Sequence, residues 1–213
     1  MKIGIIGAGW IADKMAETLT GLDSTMKYAI AARDLGRARE FARRWNFQKA
    51  YGSYKELVED PEVELVYVAT PHSHHFEHSS LAINAGKPVL CEKAFTANAR
   101  EADALLNLAH KKGVFITEAI WTRYMPLSFK VKELLESGAI GEPRLLNASL
   151  CYMMEFKERI LCPELCGGAL LDLGVYSINF CRMYFGADIV DETSNCIKSS
   201  TGMDMHNSIS WSY

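Results

Sequence analysis

The feature that most constrains this chain is a regular alternation of short apolar runs and helix-spaced segments over its first 120 residues. "KIGIIG" (2–7) is an apolar run closed by glycine, and residues 10–20 follow it with helical spacing. "KYAIAAR" (27–33) reads as a second strand. "LGRAREFARRW" (35–45) reads as a helix with apolar positions Leu35, Ala38, Phe41, Ala42 and Trp45. "ELVYVAT" (64–70), "PVLCE" (88–92) and "VFITEA" (114–119) are further strand candidates. Residues 73–86 read as a helix ended by glycine, and Asn98 followed by Glu101 predicts a capping box for another. Strands joined by helices of this length need crossover connections, so the expected sheet is mainly parallel and buried on both faces. The expectation is an α/β doubly wound domain over residues 1–120, with ligands outside the carboxyl ends of its strands.

After residue 120 the pattern changes. A helix near 126–136 is followed by a strand candidate, "RLLNASLCYMM" (144–154), and a nearly all-apolar helix, "GALLDLGVYSINFCRMYF" (168–185). Two strand candidates follow, near 188–198 and 205–213. Residues 121–213 are therefore expected to form an α+β domain with a largely antiparallel, open sheet. "NSISWSY" places Ile209, Trp211 and Tyr213 on one face of a half-buried strand. A sheet of two or three strands with a bare edge is a poor stopping point, so this domain is expected to be incomplete or to rely on a partner.

Composition narrows the functional classes. A net charge of −3 over 213 residues points to neither nucleic acid nor an anionic membrane as partner. No apolar run is long enough to span a bilayer. The start, "MKIGIIGAGW", reads as a strand rather than a signal peptide, because glycines interrupt it and no cleavage pattern follows. The six cysteines are scattered, mostly in apolar stretches, and read as buried free thiols of a reducing cytoplasm. Cys162 and Cys166 lack a second pair, and no metal site is expected.

"GAGWIA", Gly7 to Ala12, fits G-x-G-x-x-A directly after the first strand and opening a helix. In that context it is the Rossmann dinucleotide fingerprint. Gly7 permits the tight turn, Gly9 lets a pyrophosphate approach the backbone, and Ala12 lets helix pack on strand. At the end of the second strand, "AARD" presents Arg33 first and Asp34 second, with Arg37 one turn later. A guanidinium suits the extra phosphate of NADP and can stack on adenine, so NADP is the expected cofactor and NAD the second choice. If Asp34 rather than Arg33 faces the ribose, the preference reverses.

"PVLCEKAF" (88–95) begins as a buried strand and ends on Glu92 and Lys93. Either the loop is simply solvated, or Lys93 stands at the sheet rim where a nicotinamide lies. Asp172 is the second anomaly, the sole charged residue between Glu164 and Arg182, and a buried carboxylate needs a partner. Tyr176 lies four residues on, expected on the same helical face. Lysine, aspartate and tyrosine beside a nicotinamide make a proton-transfer site, since a nearby ammonium favours the phenolate. The plainer reading makes Asp172 a backbone cap and Tyr176 core filling; spacing alone leaves both open.

"GAGWIA", "AARDLGRAREFA", "AYGSYKEL", "VATPHSHH", "AGKPVLCEKAF", "EAIWTRYMP" and "GGALLDLGVYSI" together resemble the glucose–fructose oxidoreductase/inositol dehydrogenase/MocA (Gfo/Idh/MocA) family. The likeness is strongest to its dimeric dihydrodiol dehydrogenase and NADP-dependent D-xylose dehydrogenase branch. The resemblance implies catalytic roles for Lys93, Asp172 and Tyr176. It implies a small-molecule sugar or diol substrate, and a homo-oligomer built through the second-domain sheet. Ala94 stands where the family has proline, and the chain is shorter than family members, which continue through several more strands.

"PHSHHFEH" holds His72, His74, His75 and His78. His72 is expected to border the cofactor, and His75 matches the family's T-P-x-x-x-H histidine. Trp121, Arg123 and Tyr124 either line a substrate cleft or pack. The candidate cofactor set is Gly7, Gly9, Trp10, Ile11, Arg33, Arg37, Thr70, His72, His75, Glu92, Lys93, Trp121 and Arg123. The expected function is an NADP(H)-dependent oxidoreductase acting on a sugar, cyclic polyol or dihydrodiol. The alternative is a non-catalytic dinucleotide-binding protein.

Overall fold

A computed structural model describes residues 1–153 and 157–213 and divides the chain into two compact units, Met1–Ala119 and Ile120–Tyr213. The first unit runs β1 (Lys2–Ile6), α1 (Trp10–Thr20), β2 (Met26–Ala31), α2 (Leu35–Trp45), β3 (Lys49–Tyr51), α3 (Tyr54–Glu59) and β4 (Leu65–Val68). A 3₁₀ turn at His72–His74 leads into α4 (His75–Asn84), and β5 (Val89–Cys91), α5 (Ala99–Lys112) and β6 (Ile116–Glu118) complete it. The six strands form one parallel sheet in the order β3-β2-β1-β4-β5-β6. Strand order reverses between β1 and β4, which opens a crevice at their carboxyl ends.

Period-2 alternation sorts the apolar side chains onto two faces. Ile6, Ala29, Ala31, Val66 and Val68 pack with Leu57, Ala82, Ile83 and Leu105 on one side. Ile3, Ile5, Ile30 and Tyr67 pack with Ala12, Ala16 and Phe41 on the other. Side-chain caps start three of the five helices: Asp34 accepts from the Arg37 amide, Ser53 and Glu56 form a capping box, and Asn98 accepts from the Glu101 amide. The reciprocal carboxylate of Glu101 accepts from the Ala97 amide, one residue earlier than a capping box requires. β3 and α3 are too short for hydrophobic periodicity to announce them, and were missing from the sequence expectation.

The second unit contains a 3₁₀ turn at Trp121–Tyr124, α6 (Pro126–Glu136), two 3₁₀ turns at Glu158–Ile160 and Pro163–Leu165, and a π-turn at Leu170–Gly174. The π-turn runs into α7 (Val175–Phe185), and β7 (Asp191–Lys198) pairs antiparallel with β8 (Asp204–Ser212). Two expectations change here. The predicted helix over 168–185 starts as a π-turn, so Asp172 and Tyr176 do not share one regular α-helix. The predicted strand over 144–154 is not formed in its described part, 144–153, and Met154 lies outside the described residues. A strand exists through its ladder, and 144–153 pairs with neither β7 nor β8. No helix among the described residues is long and apolar enough to cross a membrane.

Candidate functional site

The glycine turn closes β1 at the crevice. Gly7 has φ 97°, and its amide donates to the Ala31 carbonyl at 2.9 Å. A Cβ there would lie 2.9 Å from the Ala69 carbonyl oxygen and 3.1 Å from the Thr70 methyl carbon, so glycine is required. Gly9 is the N-cap of α1 with no side-chain cap, and a Cβ on it would meet nothing within 4 Å. The first intrahelical bond runs from the Asp13 amide to the Gly9 carbonyl at 3.1 Å, so the turn lies at the positive end of the helix dipole. An open approach to a bare backbone at a helix start fits a dinucleotide pyrophosphate. Trp10 stands 69% exposed on this rim, whereas Ala12 is fully buried against the sheet.

At the end of β2 the two charged neighbours part. Asp34 turns back into α2, its carboxylate 2.7 Å from the Arg37 amide. Arg33 is exposed and lies close enough to Tyr54 and His78 to act on them electrostatically. Arg37 reaches the glycine turn, its Nε and Nη2 donating to the Ala8 carbonyl at 3.2 and 2.8 Å.

Beyond β4, Thr70 Oγ1 lies 3.0 Å from His78 Nδ1, and the His78 ring stacks on His74 and meets Tyr54 edge-on. His75 is fully buried, with Nδ1 2.7 Å from the Ala94 carbonyl and Nε2 2.8 Å from the Thr70 carbonyl. It therefore touches both the end of β4 and the loop after β5, and as a neutral imidazole, with one N–H, it donates to one of the two carbonyls. Burial pushes its pKa down to about 4. His72, also buried, meets the His75 ring edge-on.

The Lys93 loop is held from several sides. Tyr67 donates its hydroxyl to Glu92 Oε1, and Glu92 Oε2 accepts from the Lys93 amide at 3.1 Å. Burial raises the Glu92 pKa, opposed by the Tyr67 hydrogen bond and the Lys93 charge. Glu118 Oε1, at the end of β6, accepts from the Phe95 amide at 2.9 Å. These contacts and the His75–Ala94 contact fix the backbone where the expected proline is replaced by Ala94. Tyr67 and Glu118 were not read as site residues; the signal was a polar group at a strand position in an apolar sheet.

In the second unit, Asp172 is buried, and Arg159 donates to its Oδ1 at 3.0 Å. The partner that a buried aspartate demands is thus an arginine that sequence spacing did not single out. Trp121 Nε1 donates to the Tyr176 hydroxyl oxygen at 3.2 Å, with the rings edge-on at 6.3 Å. Arg123 Nε donates to Asn179 Oδ1 at 2.9 Å. Trp121 and Tyr124 are 59% and 61% exposed. Asp204 of β8 accepts from the Leu170 amide at 2.6 Å and so caps the segment carrying Asp172. Among the described residues no three His, Cys, Asp or Glu gather as a metal set. The cysteines are free, but Cys91 alone is buried, its thiol pushed up to about 12, and Cys151 and Cys196 are exposed. The expectation of mostly buried thiols fails because the apolar stretches of the second unit are largely uncovered.

The family model of the Gfo/Idh/MocA oxidoreductases, with NAD-binding Rossmann fold, matches residues 1–119. The chain belongs to the Gfo/Idh/MocA family. Residues 129–210 match the model of the family's C-terminal domain. Over 196 residues the chain is 42% identical to trans-1,2-dihydrobenzene-1,2-diol dehydrogenase of Mus musculus, covering 91% of this chain and 59% of the mouse protein. It is 43% identical over 202 residues to D-xylose 1-dehydrogenase (NADP(+)) of Hypocrea jecorina, covering 84% and 52%. Among solved structures, KijD10, a 3-ketoreductase from Actinomadura kijaniata in complex with NADP and TDP-benzene, matches with a TM-score of 0.83. The identity is 27%, with 97% of this chain and 64% of that chain covered. The chain thus spans less than two thirds of these relatives.

Proposed function

We propose that this chain is an NADP(H)-dependent oxidoreductase acting on a hydroxyl or carbonyl group of a sugar, cyclic polyol or dihydrodiol. Gly7, Gly9 and the first turn of α1 would hold the pyrophosphate, and Arg33 the phosphate that distinguishes NADP. The helix cap engages Asp34 Oδ1, which favours Arg33 over Asp34 as the group that meets the ribose. The bound nicotinamide supplies the hydride acceptor or donor. Tyr176 exchanges the substrate's hydroxyl proton, Lys93 polarises the substrate oxygen and favours the phenolate, and Asp172 orients the proton-transfer groups.

The observation that carries this reading is the Trp121–Tyr176 hydrogen bond. An indole N–H only donates, so the phenol oxygen accepts there and the phenol proton is directed to another acceptor. That is the arrangement of a proton donor whose conjugate base is already stabilised. The test is an NADPH fluorescence titration combined with turnover of a panel of sugars and diols. Tyr176→Phe is expected to bind NADPH normally and to lose most turnover; unchanged turnover removes Tyr176 from the chemistry.

A second reading is dinucleotide binding without turnover, since the glycine turn and the open start of α1 by themselves account for cofactor binding. NADPH binding with no turnover across the panel would support it. Self-association through the β7–β8 hairpin and a reducing, cytoplasmic setting belong to the first reading. A monomer mass in sedimentation would remove the self-association.

A further inference from the structure

We infer that Arg37 is a positioning residue for the glycine turn rather than a reader of the NADP phosphate; this rests on the dinucleotide reading of that turn. Its guanidinium places two donors, Nε at 3.2 Å and Nη2 at 2.8 Å, on the one carbonyl oxygen of Ala8. Its own amide is tied to Asp34 Oδ1 at 2.7 Å. One residue therefore links the cap of α2 at both ends: backbone to the end of β2, side chain to the turn after β1. The neighbouring carboxylate does not draw it away. Asp13, in the first turn of α1, takes Arg44 Nη2 at 2.5 Å and Trp45 Nε1 at 2.7 Å instead.

The Ala8–Gly9 peptide is planar and trans, so its C=O and N–H point in opposite directions. Holding the Ala8 oxygen sets the direction of the Gly9 amide. Gly9 is the position whose missing side chain leaves open space, where the motif brings a pyrophosphate to the backbone. A rigid donor group there serves NAD and NADP equally, because both carry the same pyrophosphate. A guanidinium spent on Ala8 contributes nothing to telling them apart.

The experiment is a pair of fluorescence titrations, NADPH and NADH, on the full chain and on Arg37→Gln, with melting temperature recorded without dinucleotide. Both affinities are expected to fall about tenfold, with the NADPH/NADH ratio within roughly twofold of the unsubstituted chain and the melting temperature nearly unchanged. Arg37→Lys, which keeps one donor, is expected to recover part of both affinities. If Arg37→Gln does not fold, Arg37→Lys carries the test through the same preserved ratio. Loss confined to NADPH makes Arg37 a phosphate reader and overturns the inference. Unchanged affinity for both overturns it as well, as does a loss in Arg37→Lys that unfolded protein fully accounts for. An unsubstituted chain that binds neither dinucleotide overturns the dinucleotide reading itself, an outcome distinct from any of these.

Discussion

The indole nitrogen of Trp121 donates to the phenol oxygen of Tyr176 across 3.2 Å, joining the turn after Ile120 to the start of α7. A donor on that oxygen stabilises the phenolate and lowers the cost of proton transfer. Trp121→Phe keeps an aromatic ring and removes only the donor. It is expected to cut kcat about tenfold, the scale of one lost hydrogen bond. The pH at which oxidation gains its base should move upward. A pH–rate profile with an unshifted limb would detach Trp121 from the phenol's acidity.

Arg33 and Asp34 are adjacent in sequence, and the helix cap separates their roles. Arg33→Gln is expected to weaken NADPH binding by roughly 10–100-fold, the value of a charge-assisted contact, and to leave NADH nearly untouched. Equal weakening of both dinucleotides would place Arg33 away from the distinguishing phosphate.

Gly7 and Gly9 fail in different ways. Gly7→Ala puts a methyl group 2.9 Å from the Ala69 oxygen at φ 97°, and is expected to destabilise the fold by about 1–3 kcal/mol. Gly9→Ala meets nothing within 4 Å at φ −101°, so its melting temperature should match the unsubstituted chain. Its methyl group should nevertheless obstruct the pyrophosphate and weaken both dinucleotides at least about tenfold. Calorimetry and titration on the two variants separate strain from occupancy.

His75 makes stability depend on pH. Burial lowers its folded pKa from 6.5 to about 4, so the folded state binds fewer protons than the unfolded chain between those values. Its contribution is therefore fully present above about pH 6.5 and is lost as pH falls toward 4, up to about 3 kcal/mol. The Ala94 and Thr70 carbonyls oppose this shift, and the neighbouring His72 and His78 add to it. Urea denaturation at pH 7, 5.5 and 4.5 should show this loss, and His75→Gln should show a shallower dependence. Constant stability across that range would contradict the buried neutral imidazole.

The parallel sheet was legible because its strands alternate with helices of crossover length, and no other arrangement buries both kinds of element. The glycine turn was legible for a related reason. Its chemistry lies in backbone geometry, which glycine spacing reports directly. Asp172 announced that it needed a partner but not which one. Arg159 is brought to it by two 3₁₀ turns that carry no hydrophobic period. Residues 144–153 show the opposite failure, since strand-like composition forms no strand without a neighbour to pair with.

Local pattern by itself determined the doubly wound class, the position of the nucleotide turn, and the presence of Lys93, Asp172 and Tyr176 as residues out of place in apolar surroundings. Tertiary structure alone decided what those and neighbouring side chains touch. Asp34 closes a helix, Arg37 holds a carbonyl of the glycine turn, His75 bridges two strand ends, and Trp121 meets a phenol 55 positions along the chain. Periodicity reports which face of an element is apolar. A polar contact depends on direction and distance between elements far apart in sequence, and only the packed chain sets those.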